Sequence, residues 1–233
     1  HLHPLLTERQ EVKKVMVLMV ASDRGLAGAY NVNVVRHTLE HFDHFTVPVR
    51  YVVVGRKGRD LLLRQRVDLA ADYSHLPSPL AFIDVSSIGR LLVNSFLNGE
   101  VDQVYIAYTR FHNIVKQDLV IRQLLPIVLD DRDEEKKKHP GLRGTFTYEP
   151  DSSQLLDEIV PRFVAVQVYQ AILSAQASEH AARMMAMRNA TDNALDLIDD
   201  LRLQYNKSRQ NAITNDMLDI AGGAEALSAT RRS

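Results

Sequence analysis

The feature that most restricts the fold of this chain is a run of 60 residues, from Arg162 to Ala221, that contains neither glycine nor proline. At 1.5 Å per residue it would form roughly 90 Å of helix, whereas helices in globular proteins average about 11 to 12 residues. Helical sequence of this length without breakers is typical of a coiled coil. The run therefore predicts one very long C-terminal helix.

A stripe of residues spaced three and four apart runs along this predicted helix, which is coiled-coil spacing. The stripe is apolar in the middle and becomes small and polar towards its end; it consists of Met184, Met187, Thr191, Ala194, Ile198, Leu201, Tyr205, Ser208, Ala212 and Asn215. Because most helical stability comes from burying an apolar face, the stripe predicts a partner. Either the helix dimerises, or it binds another protein, or its partner helix is absent from the given sequence.

Residues 11–130 have a different pattern, in which β-branched apolar runs alternate with amphipathic stretches. The predicted strands are 12–20, 49–54, 67–73, 103–109 and 118–128, and the predicted helices are 31–45, 57–66 and 80–97. This alternation favours an α/β fold, a Rossmann-like layered sheet domain.

A charged segment, Asp130–Lys138, interrupts this pattern and is typical of a solvated loop. A short strand is predicted after it, at 145–148. We therefore divide the chain into a globular α/β domain over residues 11–150 and a long helical domain over residues 151–233.

Composition excludes several kinds of function. Cysteine and tryptophan are absent, so disulfides, thiolate metal sites and cysteine nucleophiles are impossible, and the formal net charge of −1 gives no reason to expect nucleic-acid binding. No apolar run approaches the ~18 to 20 residues that span a bilayer. The sequence also lacks an initiator methionine, which predicts that the natural N-terminus is missing.

Two motifs could carry chemistry in the first half of the chain. Gly25 and Gly28 follow a predicted strand and precede a helix, where backbone amides can bind phosphate, but the complete glycine fingerprints are absent and a tight turn is favoured. His37, His41 and His44 could share a helix face and ligate a metal, although half-exposed surface histidines are the favoured interpretation. We predict neither a metal nor a cofactor.

Two further clusters have simpler interpretations. A basic cluster could meet an acidic partner or nucleic acid, but no aromatic residues interleave with it; it comprises Arg56, Lys57, Arg59, Arg64 and Arg66. Met184, Met185 and Met187 are interpreted as packing residues. No Ser-His-Asp order, carboxylate pair or HExxH pattern is present, so no catalytic residue is predicted.

Several segments resemble one known family. Residues 22–31, SDRGLAGAYN, resemble a hallmark of the gamma subunits of rotary F-type ATP synthases, and residues 213–226, ITNDMLDIAGGAEA, closely resemble their C-terminal signature, with Asp216 where the family usually has glutamate. Residues 205–210, 148–151 and 190–193 are also similar to the family pattern. The resemblance covers the whole chain in order, except that the family begins with a long N-terminal helix that pairs antiparallel with the C-terminal one.

The resemblance implies a non-catalytic central shaft that couples proton flow through a membrane ring to ATP synthesis in catalytic beta subunits. The implied partners are the alpha and beta subunits, the epsilon subunit and the c-subunit ring. Arg209, Gln210 and Thr214 match residues that contact the beta subunit, and Tyr148 and Glu149 match the region that meets the c ring. The implied location is the cytoplasmic face of the bacterial plasma membrane, as a peripheral subunit, with an organellar membrane as the alternative.

Two other classes of function remain open from the residues alone. A nucleotide-binding α/β enzyme with a dimerising helical tail would bind nucleotide as an isolated chain. A coiled-coil adaptor would associate with itself through the stripe between Met184 and Asn215. The C-terminal signature favours the shaft over both.

Overall fold

The computed structural model describes residues 4–127 and 152–231. The strands are β1 (Val15–Val20), β2 (Val49–Val54), β3 (Asp68–Tyr73), β4 (Gln103–Phe111) and β5 (Gln117–Leu125). The helices are α1 (Tyr30–Asp43), α2 (Arg56–Arg64), α3 (Phe82–Leu97) and α4 (Ser152–Thr230). Every strand and helix predicted within residues 11–127 is present, with shifts of a few residues at the ends. The predicted strand at 145–148 and the loop at 130–138 lie outside the described residues.

The five strands form one sheet in the order β3-β2-β1-β4-β5. β1 pairs in parallel with β2 and with β4, and β2 pairs in parallel with β3. Only β5 is antiparallel, because a short hairpin joins it to β4. The predicted Rossmann-like layered sheet is therefore confirmed, with one antiparallel edge strand.

Side chains of β1 alternate between two hydrophobic cores, one on each face of the sheet. Met16, Leu18 and Val20 belong to the core beneath α3 and the first part of α4, and the intervening residues of β1 belong to the core beneath α1 and α2. All six residues of β1 are buried. A strand covered on both faces needs a continuous apolar run, which explains the sequence VMVLMV.

Helix α4 extends beyond the predicted run at both ends. It begins before Pro161, which lies inside it, and continues through Gly222 and Gly223. Around Pro161 the neighbouring Val160 and Val164 are buried in the sheet domain, so packing there compensates for the hydrogen bond that proline cannot donate. No helix in the described part of the chain is long and apolar enough to cross a membrane.

The contacts between residues divide the chain into two compact units, His1–Met185 and Ala186–Ser233. The first unit contains the sheet and the part of α4 that packs on it; residues buried there include Val164, Val168, Ile172 and Ala175. The predicted division at residue 150, between a globular α/β domain and a long helical domain, stays a prediction.

Asp102 ties the segment before β1 to the start of β4. Its carboxylate accepts hydrogen bonds from Arg9 Nη1 at 2.7 Å, from the backbone N–H of Lys13 at 2.7 Å and from that of Lys14 at 3.0 Å. Burial by itself raises the pKa of Asp102, but the N–H of Lys13, then Arg9, then the N–H of Lys14 outweigh it and lower this pKa below its ordinary value. The charged form is therefore the one that the fold stabilises.

Candidate functional site

The first part of α4 lies across the carboxyl ends of β1 and β4. Ser178 Oγ donates to the carbonyl oxygen of Thr109 at 3.2 Å, and the backbone N–H of Phe111 donates to Ser174 Oγ at 2.9 Å. Tyr30 Oη donates to the carbonyl oxygen of Ala175 at 3.0 Å, and burial raises the pKa of this hydroxyl. In open α/β sheets ligands bind where the strand order reverses, which here is between β1 and β4. In this chain, α4 occupies that position.

The glycine-containing turn after β1 is filled by the protein's own groups. Asn31 Oδ1 accepts from the backbone N–H of Ser22 at 3.0 Å, and Ser22 Oγ donates to the carbonyl oxygen of Arg24 at 2.8 Å. Arg183 Nε donates to the carbonyl oxygen of Gly25 at 3.2 Å. The turn that sequence reasoning considered for phosphate is thus a tight connection braced by α1 and α4.

The histidines of α1 have local partners. His37 Nδ1 lies 3.4 Å from Glu40 Oε2, and the His41 ring packs against Phe42 with ring centroids 4.9 Å apart. Among residues 4–127 and 152–231, no group of three or more His, Asp or Glu side chains could hold a metal ion.

The basic cluster of α2 is divided by the structure. Arg59 is paired with Asp60 and Asp72, each at 3.0 Å, and contributes to the surface of the sheet domain. Arg56 and Lys57 are exposed at the start of α2, beside the turn that follows β1. Sequence spacing had placed all of these side chains in one cluster.

The second part of α4 is an exposed helical surface. Every residue from Met187 to Arg231 is exposed, including the large apolar side chains of Ile198, Leu201 and Tyr205, at 44%, 53% and 68%. The three outline a shallow groove of about 340 Å³ with Arg202 and Asn206; the groove follows the stripe seen in the sequence. A surface of this kind can bind another helix or protein, whereas it offers no enclosed site for a small molecule.

The residues predicted to contact the beta subunit lie on this exposed surface. Arg209, Gln210 and Thr214 are all exposed, and Gln210 and Thr214 share a face because they are one helical turn apart. Their role stays a prediction. The predicted c-ring residues, Tyr148 and Glu149, lie outside the described residues.

Sequence reasoning missed several residues that the structure brings together. Ser174 and Ser178 were overlooked, although small polar residues four apart in an apolar helix face indicate hydrogen bonding to a neighbouring element. Leu26 is exposed in a left-handed backbone conformation, for which its sequence gives no signal.

Comparison with known proteins agrees with this arrangement. The family model for ATP synthase matches residues 1–227. The ATP synthase gamma chain of Dehalococcoides mccartyi strain CBDB1 is 46% identical over 226 residues, which cover 97% of this chain and 77% of the relative. The gamma chain of Moorella thermoacetica is 40% identical over 222 residues, covering 95% of this chain and 76% of the relative.

Solved structures share the fold. A chain of the Euglena gracilis mitochondrial ATP synthase, in an assembly of OSCP, F1 and c-ring, matches with a TM-score of 0.70 at 22% identity, covering 99% of this chain and 80% of that one. A chain of the Tetrahymena thermophila mitochondrial central stalk and c-ring matches with a TM-score of 0.63 at 25% identity over 79% of both chains. With a sheet domain, a long exposed helix and gamma-chain relatives over nearly its whole length, the chain belongs to the gamma-chain family of ATP synthase, the central-stalk family of the rotary F-type complexes.

Proposed function

We propose that this chain is the central rotor shaft of a proton-translocating ATP synthase and carries no active site of its own. Proton flow turns a ring of c subunits, the shaft turns with it, and each catalytic beta subunit passes through different conformations. Coupling of this kind requires that the shaft favour different beta-subunit conformations at different rotation angles. At each angle, the shaft must therefore bind one beta-subunit conformation with a more favourable free energy than the others.

The observation that carries the proposal is the exposed surface of α4 between Met187 and Arg231. Large apolar side chains such as Leu201, Tyr205 and Ile220 are exposed there, at 53%, 68% and 73%. An apolar surface of this extent is typical of a helix that is surrounded by other proteins. We assign the stripe to an antiparallel coiled coil and the remaining faces to the surrounding alpha and beta subunits.

The sheet domain is then the foot of the rotor. Together with the epsilon subunit it would sit on the c ring, with Tyr148 and Glu149 contributing to that contact. Membrane association would be peripheral and would occur through the complex, on the cytoplasmic face in a bacterium. The bacterial gamma chains among the relatives support this location.

Co-purification tests this proposal directly. Full-length chain co-expressed with alpha and beta subunits should form a stoichiometric complex with strong ATPase activity, although the chain alone hydrolyses no ATP. Failure to assemble, combined with nucleotide binding or turnover by the isolated chain in calorimetry, would contradict the shaft and support an α/β enzyme.

Arg209 gives a sharper test of torque transfer. We expect Arg209→Ala to lower ATP synthesis in membrane vesicles about tenfold, because a charge-assisted hydrogen bond to the beta subunit is worth roughly 1.4 kcal/mol or more. Arg188→Ala is the control for loss of an exposed arginine, since it lies about 30 Å away along the same helix. Both variants should assemble normally in the co-purification. Unchanged ATP synthesis by Arg209→Ala would contradict the proposed contact of Arg209 with the beta subunit.

A further inference from the structure

Arg122 places a positive charge at the rim of the core beneath α3 and the first part of α4. It lies in the edge strand β5, opposite Ile106 of β4, and nearby Tyr108 and Leu124 belong to that apolar core. The guanidinium carbon of Arg122 is 5.7 Å from the centre of the Tyr108 ring. Because a charge that is partly removed from water is costly unless it is paired and hydrogen-bonded, this arginine requires partners.

Most hydrogen-bonding groups of Arg122 have no partner in the protein. A guanidinium carries five N–H donors, and one of these, on Nη2, donates to Oε1 of Gln167 in α4. Nε is buried without a partner, which is true of no other buried side-chain nitrogen or oxygen in the described part of the chain. Nη1 donates to no described residue either, but it is accessible to solvent.

No carboxylate neutralises this charge. Among residues 4–127 and 152–231, Arg122 forms no ion pair, whereas Arg9, Arg50, Arg59 and Arg183 of the same sheet domain each pair with a carboxylate. Arg122 is therefore a partly buried cation that can still accept an anionic partner through Nη1.

A surface cavity of about 210 Å³ lies beside Arg122, between β5 and the first part of α4. Its lining consists of the arginine, two amide side chains and three apolar side chains, namely Arg122, Gln123, Gln167, Leu124, Ile127 and Phe163. At about 30 Å³ per water molecule, the volume corresponds to roughly seven waters, which is the size of a short organic acid. Apolar walls with a few polar groups are typical of small-molecule sites.

We propose that this cavity binds a small carboxylate with a short apolar tail, the carboxylate at the Arg122 guanidinium and the tail against Leu124, Ile127 and Phe163. Hydrogen bonds between a guanidinium and a carboxylate are charge-assisted and stronger than those between neutral groups. Inorganic phosphate is disfavoured, because contact with three apolar side chains would remove water from its charged oxygens without compensation.

The site does not depend on the shaft function, since all of its residues lie in the sheet domain and the part of α4 that packs on it. A ligand there would contact both β5 and α4. Because it would bind the folded protein and not the unfolded chain, it should stabilise the sheet domain.

Titration of the full-length chain with sodium hexanoate, followed by saturation-transfer NMR, measures this binding. We expect a dissociation constant of about 1 mM or below and a higher unfolding midpoint at saturating hexanoate. Acetate should bind at least tenfold more weakly, because each buried CH₂ group increases affinity about fourfold. Hexanol, which has the tail without the charge, should also bind at least tenfold more weakly.

Three results of the titration would overturn the site. They are the absence of saturable hexanoate binding, equal affinities for hexanoate and acetate, and displacement of hexanoate by an equal concentration of inorganic phosphate at constant ionic strength. The last result would assign the cavity to phosphate.

Arg122→Gln tests the role of the charge. It should weaken hexanoate binding at least tenfold and abolish the rise in the unfolding midpoint, because a neutral amide forms no charge-assisted hydrogen bond. Arg110→Gln is the matched control, since Arg110 is exposed on the neighbouring strand β4 and does not line the cavity. An equal loss of affinity in both variants, or no loss in Arg122→Gln, would contradict the proposal.

Phe163→Glu gives a second test that leaves the partly buried arginine in place. Phe163 is 45% exposed, so the variant should fold, and its new carboxylate would compete for Arg122 and weaken hexanoate binding at least tenfold. Leu173→Glu, at a 39% exposed position of α4 away from the cavity, should bind hexanoate as wild type does. Unchanged hexanoate affinity of Phe163→Glu would show that hexanoate binds elsewhere, and the proposal would be wrong.

Discussion

Gly55→Ala is expected to destabilise the sheet domain by on the order of 4 kcal/mol, combining a forbidden backbone conformation with a backbone clash. Gly55 has a φ of +99°, and a Cβ atom there would lie 2.7 Å from the backbone nitrogen of Ser22 and 2.8 Å from the carbonyl carbon of Ala21. Neither atom can move without distorting the end of β1. Urea unfolding followed by tyrosine fluorescence measures the effect, since the chain has no tryptophan.

Gly25→Ala is the matched control for this experiment. Its new methyl group would meet only the flexible Lys57 side chain, at 3.6 Å, so its free energy of unfolding should stay within about 0.5 kcal/mol of wild type. Failure to recover soluble Gly55→Ala, while Gly25→Ala folds, would agree with the prediction. A Gly55→Ala protein within about 1 kcal/mol of wild type would contradict the close approach of β1 and β2 at this point.

Asp102→Asn should lower the free energy of unfolding by about 3 kcal/mol at neutral pH, because a neutral amide with one acceptor oxygen cannot accept from Arg9 and two N–H groups as a carboxylate does. The residue is only 8% exposed, so water cannot replace these hydrogen bonds easily. Without this carboxylate, the segment containing Arg9 and Lys13 loses side-chain hydrogen bonds to the residue before β4 and keeps the backbone bond between Asp102 and Lys14.

The pH dependence of this effect follows from the lowered pKa of Asp102. A carboxyl group with a folded pKa below its unfolded value stabilises the protein fully above the unfolded pKa, about 4, and loses that contribution as pH falls through the folded pKa. The difference between wild type and Asp102→Asn should therefore shrink as pH falls below about 4. Urea unfolding at several pH values checks this, and a difference that is constant with pH would contradict it.

Asp68→Asn is the matched control for the charge. Asp68 forms a 2.9 Å ion pair with Arg50, but its side chain is 60% exposed. Exposed pairs contribute about 0 to 1 kcal/mol, so this variant should change stability little at any pH. A loss as large as that of Asp102→Asn would show that burial does not distinguish the two carboxylates.

Local patterns in the sequence were sufficient to predict the sheet domain and the long helix. Apolar periodicity and the position of breakers act over a few residues, so β1, β2 and α4 could be located without knowing what they contact. The limits of α4 could not be predicted in this way. Pro161 and Gly222 disfavour helix by local propensity, yet α4 includes both. Packing on the sheet domain stabilises the helix around Pro161, and cooperative helix propagation extends it past Gly222.

The amino-acid sequence by itself thus determined the fold class, the exposed stripe of α4 and the gamma-chain family of this protein. Tertiary structure alone decided which surfaces of the sheet domain are covered by the chain's own helices and which are exposed to solvent. Ser178 meets Thr109 across 69 residues of sequence, Asp102 meets Arg9 across 93, and α4 thereby occupies the edge of the sheet where related folds bind ligands. Contacts between residues so distant depend on how whole elements pack, and no local pattern records them.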